Sequence, residues 1–491
     1  MTRNEPPRIR TLGELKASGY RPRSIKDELR ENLIARLESG QPLFPGIIGF
    51  DQTVIPDLQR AILARHNILL LGLRGQAKTR IARQMVELLD EYMPVVAGSE
   101  LNDDPLQPIS RYARDLIAEK GDDTPVEWVH RSERYVEKLA TPDVSIADLI
   151  GDVDPIKAAT LKLPYSDERV LHFGLVPRAH RSIFVMNELP DLQARIQVAL
   201  FNILQEGDIQ IRGFKLRLPL DIAFVFTANP EDYTNRGSII TPLKDRIESQ
   251  ILTHYPRTLE DAMAITRQEA CVLPEQEARI HVPEAARLLL EQIVFEARES
   301  EYVDEKSGVS ARLSIAAMEH LMSAAELRLL RHGQPRTVIR LSDFQHIIPA
   351  MTGKIELVYE GEQEGPVGVA LHLMDQAMKK LFLRYFPDPD RARDEDRDPY
   401  GAIRQWFAAG NVLELPSDLS DEDYLKALQS VAGLERVVSA AGVPPEERIF
   451  FMELVLHGLA EFEVVSKDVL EGRLSFRDLL AGMFDDDEDE D

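Results

Sequence analysis

The segment Gly72-Leu73-Arg74-Gly75-Gln76-Ala77-Lys78-Thr79 follows the apolar run Ile68 to Leu71 and precedes a helical pattern. That is the position of a phosphate-binding loop between a strand and a helix. Glycines at 72 and 75 allow a compact turn whose backbone N–H groups point at phosphate oxygens. Lys78 would supply positive charge to the outer phosphates, and Thr79 a hydroxyl for magnesium. Ala77 stands where G-x-x-x-x-G-K-[ST] usually has its second glycine, which requires ordinary helical φ and ψ at that residue. The string predicts binding of a nucleoside triphosphate; read alone, it is also compatible with a surface turn carrying a solvated lysine.

About 110 residues downstream, Ile183-Phe184-Val185-Met186-Asn187-Glu188 reads as a hydrophobic strand ending in polar residues. In a nucleotide-hydrolysing site such a strand ends in Asp-Glu. The aspartate holds a magnesium-bound water, and the glutamate orients or deprotonates the attacking water. Glu188 fills the second role. Asn187 offers an amide oxygen to the metal side but no negative charge, so its presence bears on hydrolytic rate more than on nucleotide binding. A plain polar strand end is the competing reading. The next strand ends Phe226-Thr227-Ala228-Asn229-Pro230, where Asn229 can reach between the terminal phosphate and the attacking water, although Asn-Pro is also an ordinary turn former. Farther on, Asp245-Arg246 and Ser310-Ala311-Arg312 present two arginines. Arg246 could simply pair with Asp245 or Glu248, and Arg312 could be a solvated residue at a helix start.

The elements that must position these residues follow from hydropathy. From about Phe44 to Tyr255, short apolar runs alternate with helical periodicity, the pattern of a parallel sheet covered by helices. Ile68 to Leu71, Ile183 to Met186 and Ile222 to Phe226 are its clearest buried strands, and residues 207–219 alternate like a β-hairpin. From Arg257 to about Gly353 the pattern is helical. Pro387-Asp388-Pro389-Asp390 and the charge-dense run to Tyr400 read as an exposed linker. Leu425, Leu428, Val431, Leu434, Phe450, Phe451, Leu454, Val455 and Leu459 then mark further packed helices. The expected division is an extension (1–40), an α/β domain (41–256), a helical domain (257–353), a connecting helix and linker (354–399), a helical region (400–484) and an acidic tail (485–491).

Composition narrows the function classes. The 491 residues are 44% hydrophobic and 29% charged, enough for several domains with cores of their own. No run approaches the roughly 18 apolar residues of a membrane span, and the first twenty residues lack a secretory pattern, so a cytoplasmic protein is expected. The formal charge of −25, with seven acidic residues at 485–491, argues against binding nucleic acid. A single cysteine, Cys271, supports neither a disulfide framework nor a zinc site and reads as a buried or inert thiol.

Loop, acidic strand, hairpin, asparagine strand, Asp-Arg and late helical arginine occur in the order of an AAA+ ATPase. More narrowly, the chain resembles the magnesium-chelatase ATPase subunit and MoxR-type branch, through Ile47-Ile48-Gly49-Phe50-Asp51-Gln52, Gly72 to Thr79, Leu149-Ile150-Gly151-Asp152, and Asn229-Pro230-Glu231 through Asp245-Arg246. The resemblance covers roughly residues 41 to 350 and leaves the C-terminal helices unassigned. It implies an α/β AAA+ P-loop parallel sheet with helices on both faces, a helical lid and ATP with Mg2+ as cofactors. It also implies a homo-oligomeric ring, a hexamer in this branch. By the same resemblance Asn229 is the first sensor, Arg246 the arginine finger entering a neighbouring subunit, with Arg236 its competitor, and Arg312 the second sensor on the lid. Thr141 to Pro177 resembles a branch-specific insert, and Ile209 to Leu218 the hairpin before the sensor strand; assembly surface and packing insertion both remain open for them.

The expected function is therefore an ATP-hydrolysing motor that remodels a partner protein. The setting would be metal insertion into a porphyrin or maturation of a metalloprotein with a von Willebrand factor A-domain partner. Three alternatives remain: a magnesium-chelatase subunit proper, a slowly hydrolysing nucleotide-responsive scaffold that Asn187 would suit, and a sigma-factor-dependent transcription activator. For the last, the sequence has no GAFTGA-like loop and no C-terminal DNA-reading helix pair.

Overall fold

The three clearest buried-strand candidates of the first half become the central strands of one sheet. The computed structural model describes residues 5–164, 167–207, 209, 218–230, 238–393, 398–470 and 473–479, and the chain divides into two compact units, Met1–His254 and Tyr255–Asp491. The first contains strands Ile68–Leu71 (β1), Tyr92–Val96 (β2), Val126–His130 (β3), Tyr135–Leu139 (β4), Gly151–Val153 (β5), Leu171–Phe173 (β6), Ser182–Asn187 (β7), Ile222–Ala228 (β8) and Ser249–Leu252 (β9). Five of them form a sheet in the order β4-β7-β8-β1-β9, and every pairing in it is parallel. Every residue of β7 and β8 is buried, as expected of strands covered on both faces. Alternate residues serve opposite cores. Phe184, Met186, Phe224 and Phe226 face one; Ile183, Val185, Ala223 and Val225 face the other, with Ile81 and Ala82. Each Phe, Met, Ile or Val among them contributes roughly 1.5–3 kcal/mol by leaving water.

Helices Leu12–Ala17 (α1), Ile25–Glu38 (α2), Val54–Leu63 (α3) and Lys78–Gln84 (α4) belong to this unit. One ion pair shows how they are tied in. Glu28 of α2 receives both terminal nitrogens of Arg134 at 2.7 Å, just before β4, and both side chains are buried. Such a pair is weak evidence for net stability, but removing either partner would strand the other's charge in the interior. Within Thr141 to Pro177, β5 and β6 pair antiparallel, flanked by short helices. The hairpin expected at 207–219 lies largely outside the described residues, as do Arg236 and the acidic tail.

In the second unit, one hydrophobic core runs from Ile280 to Phe476. The helical regions 257–353 and 400–484 therefore share their interior. Its centre is the helix Arg448–Glu461, buried continuously from Ile449 to Leu459, and a helix apolar all round must be enclosed. Gly458 is required there: a Cβ would lie 2.2 Å from the ring of Phe382. One sequence expectation fails here and another is narrowed. The stretch from Pro387 to Tyr400 is not simply an exposed linker. Pro389–Ala392 is helical, and Tyr400 is buried with its hydroxyl donating to the Pro387 carbonyl at 2.6 Å. Cys271 is exposed, which excludes the buried half of its buried-or-inert reading. The unit also holds an antiparallel sheet of Leu413–Pro416, Arg473–Asp478 and Val465–Leu470, in that order. No described helix is long and apolar enough to cross a membrane.

Candidate functional site

β1 ends at Leu71, and the backbone must reverse into α4 within six residues. The turn is anchored from the far end of β9. Thr253 Oγ1 donates to Gln76 Oε1 at 2.7 Å, and the Thr253 backbone N–H donates to the Leu71 carbonyl at 2.8 Å. Gly72 is required by this anchor, because a Cβ there would lie 2.0 Å from Thr253 Oγ1 and 2.2 Å from Gln76 Oε1. Leu73 and Gly75 are partly buried and Arg74 is exposed at the tip of the turn.

Ala77 departs from expectation. It has φ 57° and ψ 13°, the left-handed region, and not the helical values that the sequence argument required. The loop must turn left-handed before α4 can start, and a residue with a Cβ does so at a cost of roughly 1–2 kcal/mol. Ala77→Gly is therefore expected to raise stability by about 1 kcal/mol in urea unfolding, after allowing for glycine's freer unfolded state. A loss of stability would show that Ala77 is unstrained.

Lys78 is buried, and its ammonium donates to the carbonyls of Gly72 and Leu73 and, at 2.8 Å, to Asn229 Oδ1. Asn229 Nδ2 in turn donates to Glu188 Oε2 at 2.8 Å. Three residues predicted separately thus form one connected chain: lysine, asparagine, glutamate. Parallel β1, β8 and β7 bring them together, since the ends of adjacent strands open on the same edge of the sheet. Glu188 itself is left-handed, φ 55° and ψ 49°, a strained conformation of the kind that collects at functional sites. Thr227 holds that corner: its hydroxyl accepts from the Glu188 N–H at 3.2 Å and donates to Asn187 Oδ1 at 3.1 Å.

Asn187 is buried, and its Nδ2 donates to Glu137 Oε1 at 2.6 Å. Glu137, on β4, was not anticipated. Burial pushes its carboxyl up, but hydrogen bonds from Arg83, Tyr135 and Asn187 outweigh burial and hold it below the usual carboxylate range. The available signal was a lone acid in the alternating run Tyr135-Val-Glu-Lys-Leu139, a pattern too weak to identify as a strand.

Arg246 takes no part in these hydrogen bonds. Arg246 follows the short helix Thr241–Asp245, pairs with Asp245 at 2.7 Å, and lies over the Phe201 ring at 5.7 Å. Glu248 is occupied elsewhere, accepting from the Asn67 N–H. Arg312 is exposed at the first position of the helix Arg312–His332 in the second unit.

The oxygen donors that the sequence assigned to magnesium are the Thr79 hydroxyl, in the first turn of α4, and the Asn187 amide, at the end of β7. Such a set suits Mg2+, which keeps waters and shares itself between protein and phosphates. Among the described residues there is no cluster of three His, Cys, Asp or Glu able to hold a metal unaided. The loop, the buried lysine and these oxygens fit a magnesium–nucleotide complex.

The first unit is built on a five-stranded parallel sheet whose β1 leads through the turn 72–77 into α4. No family model matches the chain. Similar solved structures include a proposed ATPase from Cytophaga hutchinsonii, 17% identical, covering 73% of this chain and 98% of that one with a TM-score of 0.30. A chain from the complex of the BchI and BchD subunits of magnesium chelatase is 18% identical, covering 66% and 99%, at 0.33. NtrX from Brucella abortus is 14% identical, covering 81% and 72%, at 0.37. Likeness this distant adds nothing to the chemistry, which rests on the loop and the side chains around it.

Proposed function

We propose that the protein is a Mg2+-dependent ATPase of AAA+ type that works as a homo-oligomeric ring, a hexamer by its resemblance to this branch, and remodels a partner protein. The observation that carries this reading is the bridge made by Asn229 between Lys78 and Glu188. Bound magnesium would supply charge neutralisation at the outer phosphates, with Thr79 and Asn187 on its protein side. Lys78 exchanges the loop carbonyls for phosphate oxygens. Asn229, with its carbonyl on Lys78 and its amide on Glu188, couples the arrival of the phosphates to the carboxylate. Glu188, once released, orients the attacking water. By the same resemblance, Arg246 is the arginine finger acting on a neighbouring subunit's nucleotide and Arg312 is the second sensor.

Replacing Asn229 by alanine tests the bridge. Turnover is expected to fall by about 10²-fold, the effect of losing one preplaced donor, with ATP affinity nearly unchanged. Unchanged turnover would remove Asn229 from the mechanism. A second reading, a nucleotide-responsive scaffold with very slow hydrolysis, is favoured by the amide at 187, which brings no negative charge to the metal. The client belongs to metal insertion or metalloprotein maturation, with a von Willebrand factor A-domain protein as candidate partner. Co-purification with mass spectrometry checks this; recovery of a tetrapyrrole-binding subunit would favour a chelatase proper.

A further inference from the structure

We propose that Glu137 supplies the negative charge that Asn187 lacks, so that the metal-side carboxylate of this site sits on the neighbouring strand and acts through the Asn187 amide. The inference rests on the ATPase reading above. Its grounds are the register of β4 on β7: Glu137 pairs with Val185 and Leu139 with Asn187, so Glu137 and Asn187 project from the same face one pleat apart. That face is the one covered by α4, whose Ile81 and Ala82 share its core with Val185 and Tyr135. On α4, Thr79 and Arg83 are four residues apart and stand one above the other. Arg83 lies against Glu137, its Nε 3.0 Å from Oε2, which puts Thr79 one turn nearer the loop, on the side of Asn187.

Glu137 is also built into place. Arg83 donates to both of its oxygens, the Tyr135 hydroxyl to Oε2 at 3.1 Å, and Asn187 Nδ2 to Oε1 at 2.6 Å. The carboxylate can only accept from Asn187, so it fixes the amide with nitrogen inward. Oδ1 is thereby turned to the Thr227 hydroxyl, at the strand end where the metal-bound waters would lie. An anion one group removed orients such a ligand and raises its basicity, and losing it typically costs about 10–100-fold in metal affinity. Arg83 is the competing cation. Its side chain is 63% exposed against 22% for Glu137, so it is free to swing toward solvent as a metal draws on the carboxylate.

The test is the Mg2+ concentration needed for half-maximal binding of a fluorescent ATP analogue, with Mn2+ binding followed by electron paramagnetic resonance. Glu137→Gln is expected to raise that concentration about tenfold or more, and Arg83→Gln to lower it. Asn187→Asp alone sets two carboxylates at hydrogen-bonding distance and gains little. The double variant Glu137→Gln with Asn187→Asp moves the charge back to β7 and is expected to return to near the wild-type value. A purely structural role for Glu137 would give no such rescue. The proposal is overturned if Glu137→Gln titrates like wild type, or if the double variant is as weak as Glu137→Gln. If the wild type binds no nucleotide at any Mg2+ concentration, the ATPase reading fails first and this inference with it.

Discussion

Glu188→Gln is expected to reduce ATP turnover by about 10²–10⁴-fold, the range for removing a positioned general base, while ATP binding is retained. The substitution keeps the size of the side chain and the left-handed backbone at 188. It leaves the loop, its Thr253 anchor and Lys78 in place. Only the carboxylate that receives Asn229 Nδ2 at 2.8 Å is lost. Turnover and equilibrium binding measured on the same preparation separate the outcomes. Retained turnover would move the base elsewhere; lost binding would make Glu188 a structural residue.

Arg246→Ala is expected to lower turnover by about 10³-fold, the smaller end of the effect of an arginine supplied in trans, and to leave folding almost untouched. Its ion pair with Asp245 is solvent-facing, with the side chains 41% and 73% exposed, and such pairs contribute roughly 0–1 kcal/mol. The distant Phe201 ring adds little at an exposed site. Because the arginine would complete a neighbour's site, wild-type specific activity should rise with protein concentration, and the variant's should stay low throughout. A rate independent of concentration and unaffected by the substitution would remove the intersubunit model.

The parts of the site readable from sequence are those set by local pattern. β1, β7 and β8 are apolar on both faces, so they stand out as uninterrupted runs, and the polar residues at their ends are Glu188 and Asn229. β4 carries Glu137 and Lys138 among apolar residues, so its strand signal is diluted and its acid goes unnoticed. The contact between Glu137 and Asn187 depends on strand pairing across 50 residues, which periodicity does not report. Ala77 shows the same limit. Its left-handed backbone follows from a loop pinned by Thr253, a residue on the far side of the unit's sequence. In the second unit, Val465–Leu470 and Arg473–Asp478 interleave charged with apolar residues, and Tyr400 is buried at the end of a run whose charge suggested only solvent.

The central claim is that Lys78, Asn229 and Glu188 form the working end of one ATP-hydrolysing site. Equilibrium ATP binding and Mg2+-dependent turnover, measured together on wild type and Lys78→Ala, test it most directly. The account predicts binding with turnover in wild type and loss of both when the buried ammonium is removed. Undiminished ATP binding in Lys78→Ala, or tight binding with no turnover in wild type, would contradict it.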